Sequence, residues 1–171
     1  MNNSQALVFA FKNLVKSFVS LAKAGVVLYL FFSAARGDSV SGGIMSKVMV
    51  IDDEKDVVYL LKVLMEREQF EVTEAFNGLE AYNKLTSPAV DKVIPDVIIL
   101  DIMMPEMDGY TFQSKLQEID GLSGIPIIIL TAKGQMKDLF ENSNNIFAFV
   151  EKPFEPRDLV KKVKDAIASK K

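Results

Sequence analysis

Five short β-prone runs, most of them continuously apolar, constrain this chain more than any other feature: Lys47–Ile51, Phe70–Ala75, Asp96–Leu100, Ile125–Leu130 and Ile146–Val150. A strand that faces water on one side alternates apolar with polar residues, so a run without alternation implies burial on both faces. Amphipathic stretches separate the runs. Val57, Leu60, Leu61, Leu64 and Met65 recur at helical spacing, with Lys62, Glu66 and Arg67 on the opposite face. Further helices are expected over Gly78–Leu85, Tyr110–Ile119, about Gln135–Glu141, and Pro156–Ala168. The last puts Leu159, Val163 and Ile167 on one face and its cations near the C-terminus, where they suit the macrodipole. Strands alternating with helices imply βαβ units, hence a doubly wound α/β fold with a five-stranded parallel sheet covered on both sides.

In such sheets ligands bind beyond the carboxyl ends of the strands, where the strand order reverses. The polar residues stand at those ends: Asp52 and Asp53 after the first strand, Asp101 after the third, Thr131 after the fourth and Lys152 after the fifth. The 171 residues contain no Cys and no His. That excludes disulfides, thiolate and imidazole metal ligands, Ser-His-Asp triads and an internal phosphohistidine, leaving carboxylates, hydroxyls and amines to do any chemistry.

Three carboxylates brought together in a partly desolvated pocket repel, and they either take up protons or bind a cation. With only hard oxygen ligands on offer the cation is Mg²⁺, with Mn²⁺ as the alternative. Carboxylates, a divalent ion, a hydroxyl and an amine together suit a phosphoryl group, and one carboxylate can then act as nucleophile to give an aspartyl phosphate.

The chain resembles the response regulator receiver domain over about Met45–Lys171. The resemblance rests on Val48-Met-Val-Ile-Asp-Asp-Glu54, Asp96-Val-Ile-Ile-Leu-Asp-Ile-Met-Met-Pro-Glu-Met-Asp-Gly109, Thr131-Ala132 and Lys152-Pro-Phe154, four motifs in the family's order. It implies a flavodoxin-like sheet and a Mg²⁺-dependent transfer from the phosphohistidine of a sensor histidine kinase or histidine phosphotransfer protein. Asp101 is then the phosphoacceptor. Asp53 is a direct metal ligand, Asp52 a ligand acting largely through water, and Met103 offers its backbone carbonyl to the metal. Thr131 and Lys152 contact the phosphoryl oxygens, and Phe149 occupies the switch aromatic position, its inward swing following Thr131 towards the phosphorylated site. The resemblance further implies a cis Lys152–Pro153 bond. Such a protein is a phosphoacceptor catalysing only its own phosphorylation and dephosphorylation, not an enzyme acting on other substrates.

Two departures from the family pattern stand out. Asn145 takes the place of the usual Gly before the fifth strand, where its tolerance of the left-handed conformation should preserve the turn. Phe149 lacks the hydroxyl of the Tyr found in some relatives. Two alternative functions make contrasting demands. A phosphohydrolase similar to the haloacid dehalogenase type wants a second Asp two residues after the nucleophile, where this chain has Met103; a pseudo-receiver that only binds partners would have lost an acid, the Thr or the Lys, and none is lost.

The run Gly37–Met45 separates residues 1–44 from the patterned body at 45–171. The first segment carries Lys12, Lys16, Lys23 and Arg36 against Asp38, a balance of +3, leaving −6 on the body, from 16 cations and 22 anions. That body is no nucleic-acid binder by charge. Leu7, Val8, Phe11, Leu14, Val15, Phe18, Leu21 and Ala22 make a helical apolar stripe, and the uncharged run Ala24–Ala35 follows. Its 12 residues fall short of the roughly 20 that span a bilayer. The readings of the segment that stay open are a membrane-associated helix through residues 6–35 on an otherwise cytoplasmic protein, a cleaved signal, and an extension ahead of a working start at Met45 or a disordered or interaction segment. Because only 17 residues follow Phe154 and the last helix needs them, the expectation is a stand-alone receiver whose output is contact with a downstream protein, with homodimerisation compatible.

Overall fold

The computed structural model describes residues 45–88, 94–132, 140 and 143–170. Within them lie five strands, β1 (Lys47–Ile51), β2 (Glu71–Ala75), β3 (Val97–Asp101), β4 (Ile127–Ala132) and β5 (Ile146–Lys152), and four helices, α1 (Lys55–Arg67), α2 (Gly78–Thr86), α3 (Gly109–Gln117) and α4 (Pro156–Ser169). All strand pairings are parallel, in the order β2-β1-β3-β4-β5. The chain steps one way from β1 to β2 and the other way from β1 to β3, so the reversal falls between β1 and β3. The helix expected near Gln135–Glu141 and the apolar segment within residues 1–44 lie outside the described residues. Among the described residues no helix is long and apolar enough to cross a membrane.

Alternate residues of β1, β3 and β4 serve opposite layers. Val48, Val50, Val97, Ile99, Ile128 and Leu130 pack with Val57, Leu61 and Met65 of α1 and Leu159 and Val163 of α4. Met49, Ile51, Ile98, Leu100, Ile127 and Ile129 pack with Ala81 and Leu85 of α2 and Phe112 and Leu116 of α3. Every residue of β3 is buried, as a central strand covered on both faces requires.

Local signals fix the helix ends. Asn77 caps α2 by accepting from the Glu80 N–H at 2.7 Å, while the Glu80 carboxylate accepts from the Phe76 N–H at 2.8 Å. Asp108 caps α3 through the Thr111 N–H at 2.7 Å. Helix α1 ends with Gln69 at φ 66°, the Phe70 N–H donating to Met65 O and the Gln69 N–H to Glu66 O, with Phe70 packed in the same core as Met65.

Strand limits differ from expectation in an informative way. β4 begins at Ile127 rather than Ile125, because Pro126 has no N–H for the ladder. β3, β4 and β5 run on to include Asp101, Thr131 and Lys152, each paired in register with a neighbour. Backbone pairing is indifferent to side-chain polarity, so the polar ends are part of the sheet rather than of flexible loops.

Candidate functional site

Asp101 ends β3, Asp52 and Asp53 follow β1 directly, Thr131 lies near the end of β4, and Lys152 ends β5. The parallel order therefore delivers all of them to one rim of the sheet, spanning the reversal in strand order. A cavity of about 170 Å³ opens there, lined by Asp53, Asp101, Met103, Thr131, Lys152 and Pro153 among others.

Lys152 organises the centre. Its Nζ donates to Asp52 Oδ2 at 2.6 Å and to Asp101 Oδ1 at 2.6 Å, so one ammonium spans two carboxylates that are 1% and 10% exposed at the side chain. The other oxygen of each carboxylate accepts a backbone N–H: Glu54 N–H donates to Asp52 Oδ1 at 2.9 Å, and Met103 N–H to Asp101 Oδ2 at 2.7 Å. Thr131 is buried and donates its hydroxyl to the Ala132 carbonyl at 3.0 Å. The Lys152–Pro153 peptide bond is cis. Met103 itself is 60% exposed at the mouth. Phe149 sits off this centre, half-buried on β5, with Phe140 edge-on to it at 5.9 Å and Tyr110 edge-on to Phe140 at 5.6 Å.

Burial pushes Asp52 up to about 6, with the Asp101 charge adding to the rise and Lys152 only partly offsetting it. Burial likewise raises Asp101, against the pull of Lys152 and the Met103 N–H, with the charge of Asp53 raising it further. Burial would lower Lys152, but Asp52 and Asp101 outweigh it and hold the ammonium above its ordinary range. The rim is short of positive charge: two buried carboxylates share one ammonium, and a third, exposed carboxylate faces the same cavity.

This deficit fits a hard divalent cation, since the side-chain donors here are all oxygens, most of them carboxylate, and raised carboxylates gain most from added positive charge. Among the described residues no three acidic side chains form a ready-made cage. The ammonium of Lys152 stands between Asp52 and Asp101, 2.6 Å from an oxygen of each.

Two features, one at the site and one at the opposite end of β5, are not apparent from the sequence. Gly109 lies against β3, where a Cβ would fall 2.3 Å from Asp101 O. The Asp-Gly pair is visible as a motif, but the close approach needs the fold. Asn145, expected to tolerate a left-handed turn, does not adopt one: positive φ at non-glycine residues occurs only at Gln69 and Glu106 among the described residues. It is instead buried and bonded to Gln113 Nε2 at 2.8 Å, so its side chain, not its backbone, distinguishes it from glycine.

Comparison with known proteins bears on what this rim is for. The family model described as response regulator receiver domain matches residues 48–164. The transcriptional regulatory protein SrrA of Staphylococcus aureus (strain NCTC 8325 / PS 47) is 40% identical over 120 residues, covering 70% of this chain and 46% of SrrA, so the chain spans about half the length of the curated relatives it matches. Among solved structures, a response regulator receiver domain protein from Clostridium thermocellum aligns with TM-score 0.63 at 28% identity, over 74% of this chain and 97% of that one. The chemotaxis protein CheY4 of Vibrio cholerae aligns with TM-score 0.64 at 27% identity, over 72% of this chain and 99% of its own. Receiver domains are phosphoacceptor signalling domains of two-component systems, generally bind Mg²⁺, and engage histidine kinases and downstream targets. From the match across residues 48–164, the five-stranded parallel sheet and the acidic rim at its carboxyl edge, this chain belongs to the response regulator receiver family.

Proposed function

We propose that residues 45–171 form a receiver unit that takes a phosphoryl group onto Asp101 from the phosphohistidine of a partner histidine kinase or phosphotransfer protein. The observation that carries this reading is the Lys152 ammonium at 2.6 Å from Asp101 in a cavity also lined by Asp53, Thr131 and the Met103 segment. In the transfer an Asp101 carboxylate oxygen forms a bond to phosphorus as the phosphorus–nitrogen bond of the donor imidazole breaks, the imidazole leaving with the electron pair. Hydrolysis by water later returns Asp101 and inorganic phosphate.

Each residue has a part that the geometry supports. Asp52 and Asp53, with the Met103 carbonyl and Asp101, would hold Mg²⁺ or Mn²⁺; when bound, the ion supplies positive charge for the phosphoryl oxygens. Lys152 reaches Asp101 directly and supplies a second positive charge. The Met103 N–H fixes one oxygen of Asp101, leaving its orientation set before the donor arrives. Thr131 must turn its hydroxyl from the Ala132 carbonyl towards the phosphorylated side chain. That motion leaves room beside β4 for Phe149 to move inward, converting a charge event into a changed surface on β5.

The output of a stand-alone receiver is contact with another protein. A second reading, favoured by the 40% identity to the transcriptional regulatory protein SrrA, is that the phosphorylated unit governs transcription as part of a larger regulator. A membrane role for residues 6–35 is decided in either case by comparing partition of the full chain and of one beginning at Met45.

Intact-mass measurement after incubation with acetyl phosphate and Mg²⁺ tests the reading. One phosphoryl group is gained by the wild type and none by Asp101→Asn, and EDTA prevents the gain. Steady turnover of a phosphate ester without a trapped adduct would favour a hydrolase instead.

A further inference from the structure

Five polar or charged residues are buried among the described residues: Asp52, Asp101, Thr131, Gln113 and Asn145. The first three belong to the site. The other two bond to each other, Gln113 Nε2 donating to Asn145 Oδ1 at 2.8 Å across 32 residues of chain, and Asn145 Nδ2 has no hydrogen-bond partner among the described residues. Burying two amides in an apolar layer costs more than burying an apolar pair of the same volume. What the amides offer that an apolar pair does not is direction, a single preferred alignment of α3 against the head of β5.

Both ends of this bond lead back to the site. Gln113 lies one turn beyond Gly109, whose backbone rests on Asp101 O. Asn145 immediately precedes β5, and its carbonyl accepts the Ile127 N–H at 2.8 Å. Directly above that bond the ladder slips: Ile127 pairs with Ile146, but Ile128 pairs with Ala148, so Phe147 is an extra residue. The extra residue resets the alternation of the strand. Ile146 and Phe149, three apart, pack in the same layer, while Val150 joins the opposite one. Lys152, two beyond Val150, takes the face of Val150. A β5 without the slip would exchange the faces of Phe149 and Lys152 relative to its first residue.

We propose that the Gln113–Asn145 hydrogen bond is a register clamp that holds the bulge at Phe147 and so places Phe149 and Lys152 on their respective faces. Both amides are positioning residues, and their effect on phosphorylation rests on the function proposed above.

The test uses the full chain and three variants, Gln113→Met, Asn145→Ala and the exchanged pair Gln113→Asn/Asn145→Gln. Phosphorylation by acetyl phosphate is measured at saturating Mg²⁺ well below each melting temperature, together with Mg²⁺ affinity and the NMR signals of the Lys152 ammonium and the Phe149 ring. The clamp predicts that each single variant slows phosphorylation at least fivefold, shifts both signals, and leaves Mg²⁺ affinity within twofold, with the exchanged pair recovering most of the rate. Lowered melting temperatures with the wild-type rate and unmoved signals overturn it. Should the wild type accept no phosphoryl group, the proposed function fails, and the two NMR signals alone then decide the clamp. A single variant that does not fold is replaced by Gln113→Glu and Asn145→Ser, read by the same signals.

Discussion

The backbone of Gly109 touches the backbone of Asp101: a Cβ at residue 109 would lie 2.3 Å from Asp101 O and 3.0 Å from Ile102 Cα, while the Gly109 N–H donates to Ile102 O at 2.9 Å. Helix α3 is thus seated on the strand that ends in Asp101. Gly109→Ala must push α3 away from β3, at a cost of about 1–3 kcal/mol, and should slow phosphorylation of Asp101. Gly124, where an added Cβ would meet nothing within 4 Å, is the control; Gly124→Ala should stay within about 0.5 kcal/mol of wild type. Chemical denaturation of both variants checks the contrast.

Removing the ammonium from between two buried carboxylates leaves both unmatched. Lys152→Met should lose about 3 kcal/mol of stability near neutral pH and slow phosphorylation by about 100-fold. The stability deficit should shrink on acidification, because Asp52 and Asp101 can then be neutralised by protons. Unfolding curves at several pH values decide this, and a deficit that stays constant with pH would contradict it.

Asp52 gives a signed pH dependence. Its folded value, about 6, lies above the ordinary 3.8, so the folded state holds a proton that the unfolded chain has released. Its contribution to stability is therefore full below about pH 4 and is lost as pH rises through about 6. In metal-free protein the difference in unfolding free energy between wild type and Asp52→Asn should move against the wild type across that window. Mg²⁺ competes with the same proton, so its apparent affinity, followed by calorimetry, should weaken as pH falls below about 6.

The reciprocal cap of α2 is independent of the site. Asn77→Ala leaves the Glu80 N–H without its acceptor and should cost about 1 kcal/mol without altering phosphorylation. A change in rate comparable to that of Gly109→Ala would mean that α2 is coupled to the rim.

The layers and the acidic rim are legible in the sequence for a physical reason. A central strand buried on both faces must be continuously apolar, and Val97–Leu100 announces itself; a charged residue such as Asp101 or Lys152 at the end of such a run has to be at an edge. What is not legible is contact between backbones and between distant side chains. Pro126 moves the start of β4 through a missing N–H, and Gly109 acts by having no side chain where β3 passes. The Asn145 amide reads only as a substitute for glycine until Gln113, 32 residues earlier, stands beside it. The slip at Phe147 is likewise silent in the sequence, because it is a property of two strands rather than of one.

The most direct measurement of the central claim is the location of the phosphoryl group. Phosphorylated protein, prepared with acetyl phosphate and Mg²⁺, is reduced with borohydride, which converts an acyl phosphate to an alcohol, and is then digested and mapped. The reduced residue is predicted to be Asp101, with no reduction at Asp52 or Asp53. Reduction at another carboxylate, or none in protein that has consumed the donor, would contradict the account.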